Sequence, residues 1–130
     1  MHPLNNPFLE HLGVELVEWR EGHARMRLPL APHHGNRTGR VQGGVLCTLL
    51  DAVAGYSGLY VEPGEPALEA VTLGLTTHFI ASGDGTAAIA TGRITSRGRR
   101  IFFAEAQVAL DSGLVVATAM GNFRYVSARG

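Results

Sequence analysis

Residues 36–60 read NRTGRVQGGVLCTLLDAVAGYSGLY, a polar, glycine-rich loop followed by an apolar run. In the second part, apolar side chains recur at the spacing of one helical face. They are Val45, Leu46, Leu49, Leu50 and Val53. The pattern predicts a helix from Gly43 to about Tyr60 that buries this apolar stripe.

Asp51 lies nearly opposite the apolar stripe, and its neighbours on the helix are small. These neighbours are Cys47, Thr48, Ala54 and Gly55, followed by Gly58. A solvated helix face usually carries charged and long polar side chains instead. We therefore interpret the small residues around Asp51 as a contact surface for a second chain or a ligand.

Gly43 and Gly44 fall at the start of the predicted helix. The first N–H groups of a helix have no internal acceptor, and the helix dipole adds partial positive charge there. Two glycines also let a ligand approach the backbone closely. With a carboxylate on the same helix, these donors suit attack on a carbonyl whose oxygen gains negative charge. The alternative is a plain glycine-rich turn that enters a buried helix.

Composition limits the classes of function. The chain has 130 residues, 45% of them hydrophobic, which predicts one domain over residues 1–130. Lys plus Arg and Asp plus Glu both number 11, so a nucleic-acid partner is not expected. Cys47 is the single cysteine, and no segment has the pattern of a secretory signal or a membrane span. We expect a cytoplasmic protein without membrane contact.

The remaining segments predict strands that flank the long helix. A short helix capped by Asn6 and ended by Gly13 comes first. A hairpin is expected over residues 14–20 and 23–30, and a four-stranded meander over 69–81, 86–96, 101–110 and 114–126. Strands in blocks around one helix predict an α+β fold with an antiparallel sheet. Its open edges would be covered if two chains paired edge to edge.

Two kinds of side chain invite catalytic or metal-binding interpretations. His33 and His34 are adjacent, but no Cys or acid lies near them at ligand spacing, so we predict loop or interface histidines and no metal site. Cys47 has no histidine base close to it in the helix. We predict that Cys47 is a small buried side chain without a catalytic role.

At this point the chain resembles a known family, the hotdog-fold acyl-CoA thioesterases of the phenylacetate-degradation (PaaI-like) type. The family usually shows Asn-x-x-Gly-x-x-His-Gly-Gly, with Asp or Glu seven residues after the second glycine. The matching residues here are Asn36, Gly39, Gln42, Gly43, Gly44 and Asp51. The resemblance implies a long central helix wrapped by a curved antiparallel sheet. It also implies dimers joined edge to edge, commonly assembled as homotetramers (a dimer of dimers), with active sites at the dimer interface.

The resemblance also implies roles for individual residues. Asp51 matches the catalytic carboxylate, acting as general base or nucleophile. The N–H of Gly43, together with that of Gly44, matches the group that polarises the thioester carbonyl. Asn36 matches a side chain that orients water or substrate, and Thr72 falls near a hydroxyl that holds the attacking water in some members.

Gln42 departs from the family pattern, because most members have His at this position. A glutamine keeps its hydrogen-bonding groups but does not titrate near neutral pH. A mechanism that needs a proton-shuttling imidazole at position 42 is therefore excluded. The change is tolerable if the position only orients the loop.

Four arginines lie within eight residues around a predicted hairpin, at positions 93, 97, 99 and 100. Coenzyme A carries several phosphates, and Arg pairs well with phosphate. We expect Gly98, Arg99 and Arg100 to contact the nucleotide end of the substrate.

The resemblance favours an acyl-CoA thioesterase that acts on aromatic or medium-chain acyl groups. No cofactor is expected, because coenzyme A is part of the substrate. Two alternatives remain, a non-catalytic acyl-CoA binding protein and a thioesterase for acyl-carrier-protein thioesters. A hydratase of the same fold is less favoured, since such enzymes usually pair a His with the acid and none lies near Asp51 in the sequence.

Overall fold

The structure, a computed structural model, describes residues 1–127. Its elements are helix α1 (Pro7–Leu12), strands β1 (Glu15–Arg20) and β2 (His23–Pro29), a 3-10 turn (Pro32–His34), helix α2 (Gly43–Ser57), and strands β3 (Ala70–Phe79), β4 (Ala87–Arg97), β5 (Ile101–Leu110) and β6 (Val115–Tyr125). Each predicted helix and strand is present. The largest boundary shift is at the end of α2, which stops three residues before the predicted Tyr60.

Helix α1 forms where the capping residues predict it. The Asn6 side chain accepts a hydrogen bond from the Leu9 N–H at 3.2 Å, and Pro7 occupies the first turn. Gly13 ends the helix with φ 94°, a conformation that favours glycine. Leu9 is buried and anchors α1 to the core.

The strands form one six-stranded antiparallel sheet in the order β1-β2-β4-β5-β6-β3. Register shifts interrupt the pairing of β1, β3, β4 and β5 with their neighbours. Such bulges bend strands and increase their twist, which helps the sheet to curve around α2. The structure therefore confirms the predicted α+β class with one long helix inside a curved antiparallel sheet.

The predicted four-stranded meander is wrong, because its first strand, β3, does not pair with the next strand, β4. Only β4, β5 and β6 follow one another; β4 pairs with β2, and β3 lies beyond β6 at the far edge of the sheet. The glycine-rich segment after β3 is not a hairpin turn. It passes the β5–β6 turn, where a Cβ on Gly83 would lie 2.9 Å from Leu114 and one on Gly85 would lie 2.7 Å from Asp111.

Helix α2 packs its apolar stripe against the concave face of the sheet. Leu49, Leu50 and Val53 are fully buried. A Cβ added to Gly92 of β4 would lie 2.4 Å from the Val53 carbonyl oxygen, so glycine is what lets the helix backbone come this close. The helix ends at Ser57, short of the predicted Tyr60, because the Gly58 N–H turns back to Gly55.

Among residues 1–127, no helix is long and apolar enough to cross a membrane.

Candidate active site

Asp51 and Thr72 meet on one side of α2. The Thr72 hydroxyl donates a hydrogen bond of 2.8 Å to Asp51 Oδ1. Thr72 belongs to the edge strand β3, directly before the register shift at residues 72–74. Bulges often re-aim a side chain next to a functional site. The structure thus brings together two of the residues that the family resemblance selected.

The N-terminus of α2 presents free backbone donors. Gln42 precedes the helix in extended conformation, and its carbonyl accepts from the N–H groups of Val45 and Leu46. The N–H groups of Gly43 and Gly44 have no acceptor within the described part of the chain. A Cβ on Gly44 would meet no atom within 4 Å. An anionic oxygen could therefore approach these donors.

Asn36 organises the loop that leads to α2. Its Oδ1 accepts from the Thr38 N–H at 2.9 Å, the Thr38 hydroxyl at 2.8 Å and the Arg40 N–H at 3.1 Å. The Asn36 N–H donates to the Arg40 carbonyl at 2.7 Å, and Gly39 closes the loop with φ 80°. The side-chain amide Nδ2 of Asn36 has no partner among the described residues. This group is what Asn36 can offer to water or substrate.

The Gln42 side chain is exposed and makes no capping hydrogen bond to any residue that the structure describes. Its backbone contributes instead, since the Gln42 N–H donates to the His34 carbonyl at 2.9 Å. The backbone of residue 42 thus joins the loop to the helix without using the side chain. This geometry agrees with a position that tolerates Gln in place of His.

Asp51 and Gly43 are eight positions apart on one helix. That separation corresponds to a rise of about 12 Å along the axis. One thioester carbon cannot contact both groups at that distance. The structure therefore does not bring Asp51 and the Gly43 N–H together within one chain, although both belong to α2.

A cavity of about 270 Å³ lies beside Gly43, between the N-terminus of α2, the preceding loop and the segment after β3. Its apolar lining comes from Val41, Leu46, Phe79, Leu110 and Val116, and its polar lining includes Asn36, Arg40 and Ser82. Sequence patterns did not indicate this cavity, because its walls come from distant parts of the chain. It is large enough to hold a small acyl group.

The small residues around Asp51 divide into two groups. Ala54 is fully buried, a Cβ on Gly55 would lie 3.6 Å from the Phe123 ring, and one on Gly58 would overlap Phe102 at 2.4 Å. The protein's own sheet accounts for these three positions, so the interpretation of the whole face as a partner surface was wrong. Cys47 and Thr48 stay partly exposed beside Asp51, so Cys47 is half-buried and not fully buried.

The arginines also divide into two groups. Arg93 pairs with Glu105 and Arg97 pairs with Glu21, so these two guanidinium groups have acidic partners. Arg99 and Arg100 occupy the tight turn closed by the Gly98 N–H, which donates to the Ile101 carbonyl at 2.8 Å. Of the four arginines around this hairpin, Arg99 and Arg100 are the two that have no acidic partner in residues 1–127 and so remain available for a phosphate.

His33 and His34 lie in the 3-10 turn of the loop before α2, which agrees with the predicted loop position, but the sequence did not indicate that one of them is buried. The His34 side chain is only 2% exposed. Within residues 1–127, no three His, Cys, Asp or Glu side chains lie close enough to hold a metal ion.

The architecture, one long helix wrapped by a curved antiparallel sheet, is the hotdog fold. No protein-family model and no curated protein matches the chain. Among solved structures, a conserved protein from Pseudomonas aeruginosa is 27% identical, with 93% of this chain and 94% of that chain covered and a TM-score of 0.80.

Two further structures share the fold at lower identity. The PaaI protein from the phenylacetic acid degradation operon of E. coli is 20% identical, covers 96% of this chain and 88% of its own, and gives a TM-score of 0.83. A hypothetical thioesterase protein with coenzyme A from Streptococcus pneumoniae is 21% identical, with 90% and 88% covered and a TM-score of 0.75. These likenesses confirm the fold that the sequence resemblance implied.

Proposed function

We propose that the chain is an acyl-CoA thioesterase, which hydrolyses the thioester to a free acid and coenzyme A. The observation that carries the proposal is the Asp51 carboxylate, held at 2.8 Å by the Thr72 hydroxyl on a helix whose N-terminal N–H groups are free. Solved structures with this fold include proteins named as thioesterases, which supports the proposal.

The proposed site is shared between two chains. The rise of about 12 Å between Gly43 and Asp51 requires that one of the two groups come from elsewhere. If two chains pair through β3 about a two-fold axis, their α2 helices run antiparallel, and Asp51 of one chain approaches the partner subunit's Gly43. Such a dimer has two equivalent sites.

The exposed edge of β3 supports this dimer. Val71 and Leu73 are each 51% exposed, and Phe79 is 55% exposed. An open apolar edge readily pairs with another strand. The other edge strand, β1, is partly covered, because the His2 N–H donates to the Leu16 carbonyl at 2.9 Å. Exposed Phe103 and Met120 on the outer sheet face offer a second surface for a tetramer.

Asp51 acts in this proposal as a general base, or alternatively as the nucleophile. As a base, its carboxylate takes a proton from a water that attacks the thioester carbon. The N–H groups of Gly43 and Gly44 stabilise the resulting oxyanion, and one such donor is worth about 3 kcal/mol. The C–S bond then breaks and the thiolate leaves, with little need for a general acid because thiols have a pKa of about 8.5.

The other site residues position water and substrate. Thr72 orients the Asp51 carboxylate, Asn36 offers its free amide group, and the Gln42 backbone sets the entry to α2. Gly98, Arg99 and Arg100 form a turn that can meet the phosphates of coenzyme A. The cavity beside Gly43 offers space for an acyl group, which we propose is aromatic or medium-chain. No cofactor takes part.

Replacing Asp51 tests the proposal. We expect Asp51→Asn to lower kcat about 100-fold or more, because a general base is lost. Release of free thiol from a panel of aryl- and alkyl-CoA substrates measures this effect. Cys47→Ala, one turn earlier on α2, is the matched control and should keep near-normal activity.

Wild-type hydrolysis by the Asp51→Asn variant would contradict the assignment. A wild-type protein that binds acyl-CoA in calorimetry but releases no thiol would instead be a non-catalytic binding protein. Activity on acyl-carrier-protein thioesters alone would change the proposed carrier and leave the chemistry intact.

A further inference from the structure

His34 has backbone partners for both nitrogens of its buried ring. Nδ1 accepts from the Ala31 N–H at 3.0 Å, and Nε2 lies 2.7 Å from the Leu12 carbonyl oxygen. A backbone N–H can only donate and a carbonyl can only accept. The ring is therefore neutral and carries its hydrogen on Nε2.

The Nε2 bond joins parts of the chain that are 22 residues apart. Leu12 is the last residue of α1, which the buried Leu9 anchors to the core. In residues 1–127, the bond is the only hydrogen bond that connects the loop 31–42 to an element other than α2. The hydrogen bonds of Asn36 stay inside the loop.

The backbone of His34 continues this connection towards the candidate site. Its carbonyl accepts from the Gln42 N–H at 2.9 Å, and Gln42 is the residue before α2. A continuous path thus runs from α1 through the imidazole of His34 to Gln42 and the donors of Gly43. No ligand is required to make it.

We propose that His34 is a positioning residue for the candidate active site. Its neutral imidazole fastens the loop to α1 and so sets where the N–H groups of Gly43 and Gly44 lie. The inference rests on the proposed function for its effect on catalysis. Its structural part, the fixed position of residues 34–44, can be measured without any substrate.

Three substitutions distinguish the contributions of the hydrogen bonds made by the two ring nitrogens. In His34→Gln the side-chain amide can take the place of Nε2 and donate to Leu12. In His34→Asn the shorter side chain can replace Nδ1 alone, and His34→Ala loses both bonds. Trp19→Phe is the matched control, because it removes another ring N–H bond to a backbone carbonyl, the partly buried bond from Trp19 Nε1 to the Tyr56 carbonyl at 2.8 Å, away from the loop.

We expect His34→Ala and His34→Asn to lower kcat about 10- to 100-fold while KM changes less than about 3-fold, because a small misplacement of catalytic groups is costly. His34→Gln should stay within about 3-fold of wild type. Trp19→Phe should lower the Tm and leave kcat unchanged. A His34→Ala variant with wild-type kcat, or a Gln variant no better than Asn, would overturn the proposal.

Hydrogen–deuterium exchange of residues 34–44 gives the readout that is independent of activity. Exchange should accelerate in His34→Ala and His34→Asn, but not in His34→Gln or Trp19→Phe. If it does so in a protein without thioesterase activity, the positioning role stands and the proposed function fails. If exchange is unchanged in His34→Ala but the wild-type protein is an active thioesterase, the positioning role fails and the proposed function stands. In the wild-type protein, ¹⁵N NMR of the ring must show the Nε2–H tautomer, and the other tautomer would refute the assignment.

Discussion

At the scale of single residues, the bond between Thr72 and Asp51 restricts the carboxylate. The hydroxyl donates to Oδ1 at 2.8 Å, so Oδ2 is the oxygen left without a protein donor among the described residues. A hydrogen bond to a charged group is stronger than one between neutral groups. Thr72 therefore holds the free oxygen of Asp51 in one direction.

Removing the Thr72 hydroxyl tests this restriction. We expect Thr72→Val to lower kcat about 10-fold, since a hydrogen bond to a charged group is worth about 1.5–3 kcal/mol. Thr72→Ser keeps the hydroxyl and should restore most of the rate. Steady-state kinetics with one acyl-CoA measures both variants.

Thr76→Val, on the opposite face of the same strand, is the control and should leave kcat unchanged. Equal rates for Thr72→Val and the wild type would show that Asp51 does not need this donor.

Local sequence patterns located part of the candidate site. The helix period placed Asp51 and Gly43 on α2, and the resemblance to thioesterases added Thr72 before any contact was known. The burial of His34 was missed, because a pair of histidines in a polar loop carries no local sign that one ring faces the core. The pairing of Arg93 with Glu105 was also invisible, since those residues meet only when β4 and β5 pair.

At the scale of elements, Asp111 fastens the β5–β6 turn to the start of β4. Its Oδ2 accepts from the Thr86 hydroxyl at 2.6 Å, and its Oδ1 accepts from the Thr86 N–H at 2.9 Å. The bond from the Thr86 hydroxyl, followed by that from the Thr86 N–H, holds the pKa of Asp111 below its usual value. These bonds favour the charged carboxylate in the folded protein.

The lowered pKa predicts how stability depends on pH. A carboxyl group whose pKa is lower in the folded state stabilises the fold above its unfolded pKa of about 3.9. This contribution is lost as pH falls through the folded pKa. We expect Asp111→Asn to lower the Tm at neutral pH and to flatten the decline of Tm on acidification, measured by thermal unfolding from about pH 7 to about pH 2.

Asp84→Asn provides the control, because Asp84 is exposed and makes no hydrogen bond within residues 1–127. An Asp111 variant with the same pH dependence as the wild type would show that the pKa of Asp111 does not change on folding.

Secondary structure was predictable here, and strand order was not. Turn residues and apolar periodicity are local, so they identified every helix and strand. Pairing of β3 with β6 depends on how the sheet closes around α2. A glycine-rich segment such as 82–85 fits a hairpin and a crossing connection equally well, and local chemistry favoured the wrong one.

At the scale of the whole molecule, the two sheet edges differ. The β1 edge carries charged side chains and is partly covered by the bond between His2 and Leu16. The β3 edge carries exposed Val71 and Leu73. Charge and cover are common protections against edge pairing, and of the two edges β1 alone has them in the described part of the chain. The β3 edge is therefore the more open of the two to pairing with another chain.

A charge on the β3 edge tests the dimer. We expect Leu73→Lys to shift the protein towards monomer and to lower activity, because each proposed site needs two chains. Sedimentation velocity measures the assembly and thiol release measures the rate, while circular dichroism checks that the fold persists.

Phe8→Lys places the same charge on an exposed residue of α1, 58% exposed and away from β3, and should change neither property. A fully active monomer of Leu73→Lys would rule out a shared site.

The position of β3 also affects the order in which the chain folds. Within residues 1–127, its one strand partner is β6, which follows both β4 and β5 in the sequence. On the ribosome, β3 is synthesised before β4, β5 and β6, so it cannot pair until β6, near the end of the chain, has also been synthesised. The last strand to dock is then the one that carries the open apolar edge. If the proposed dimer forms, docking of β3 and pairing with a second copy follow one another, and a chain that has docked β3 but not yet paired exposes the edge most open to wrong association.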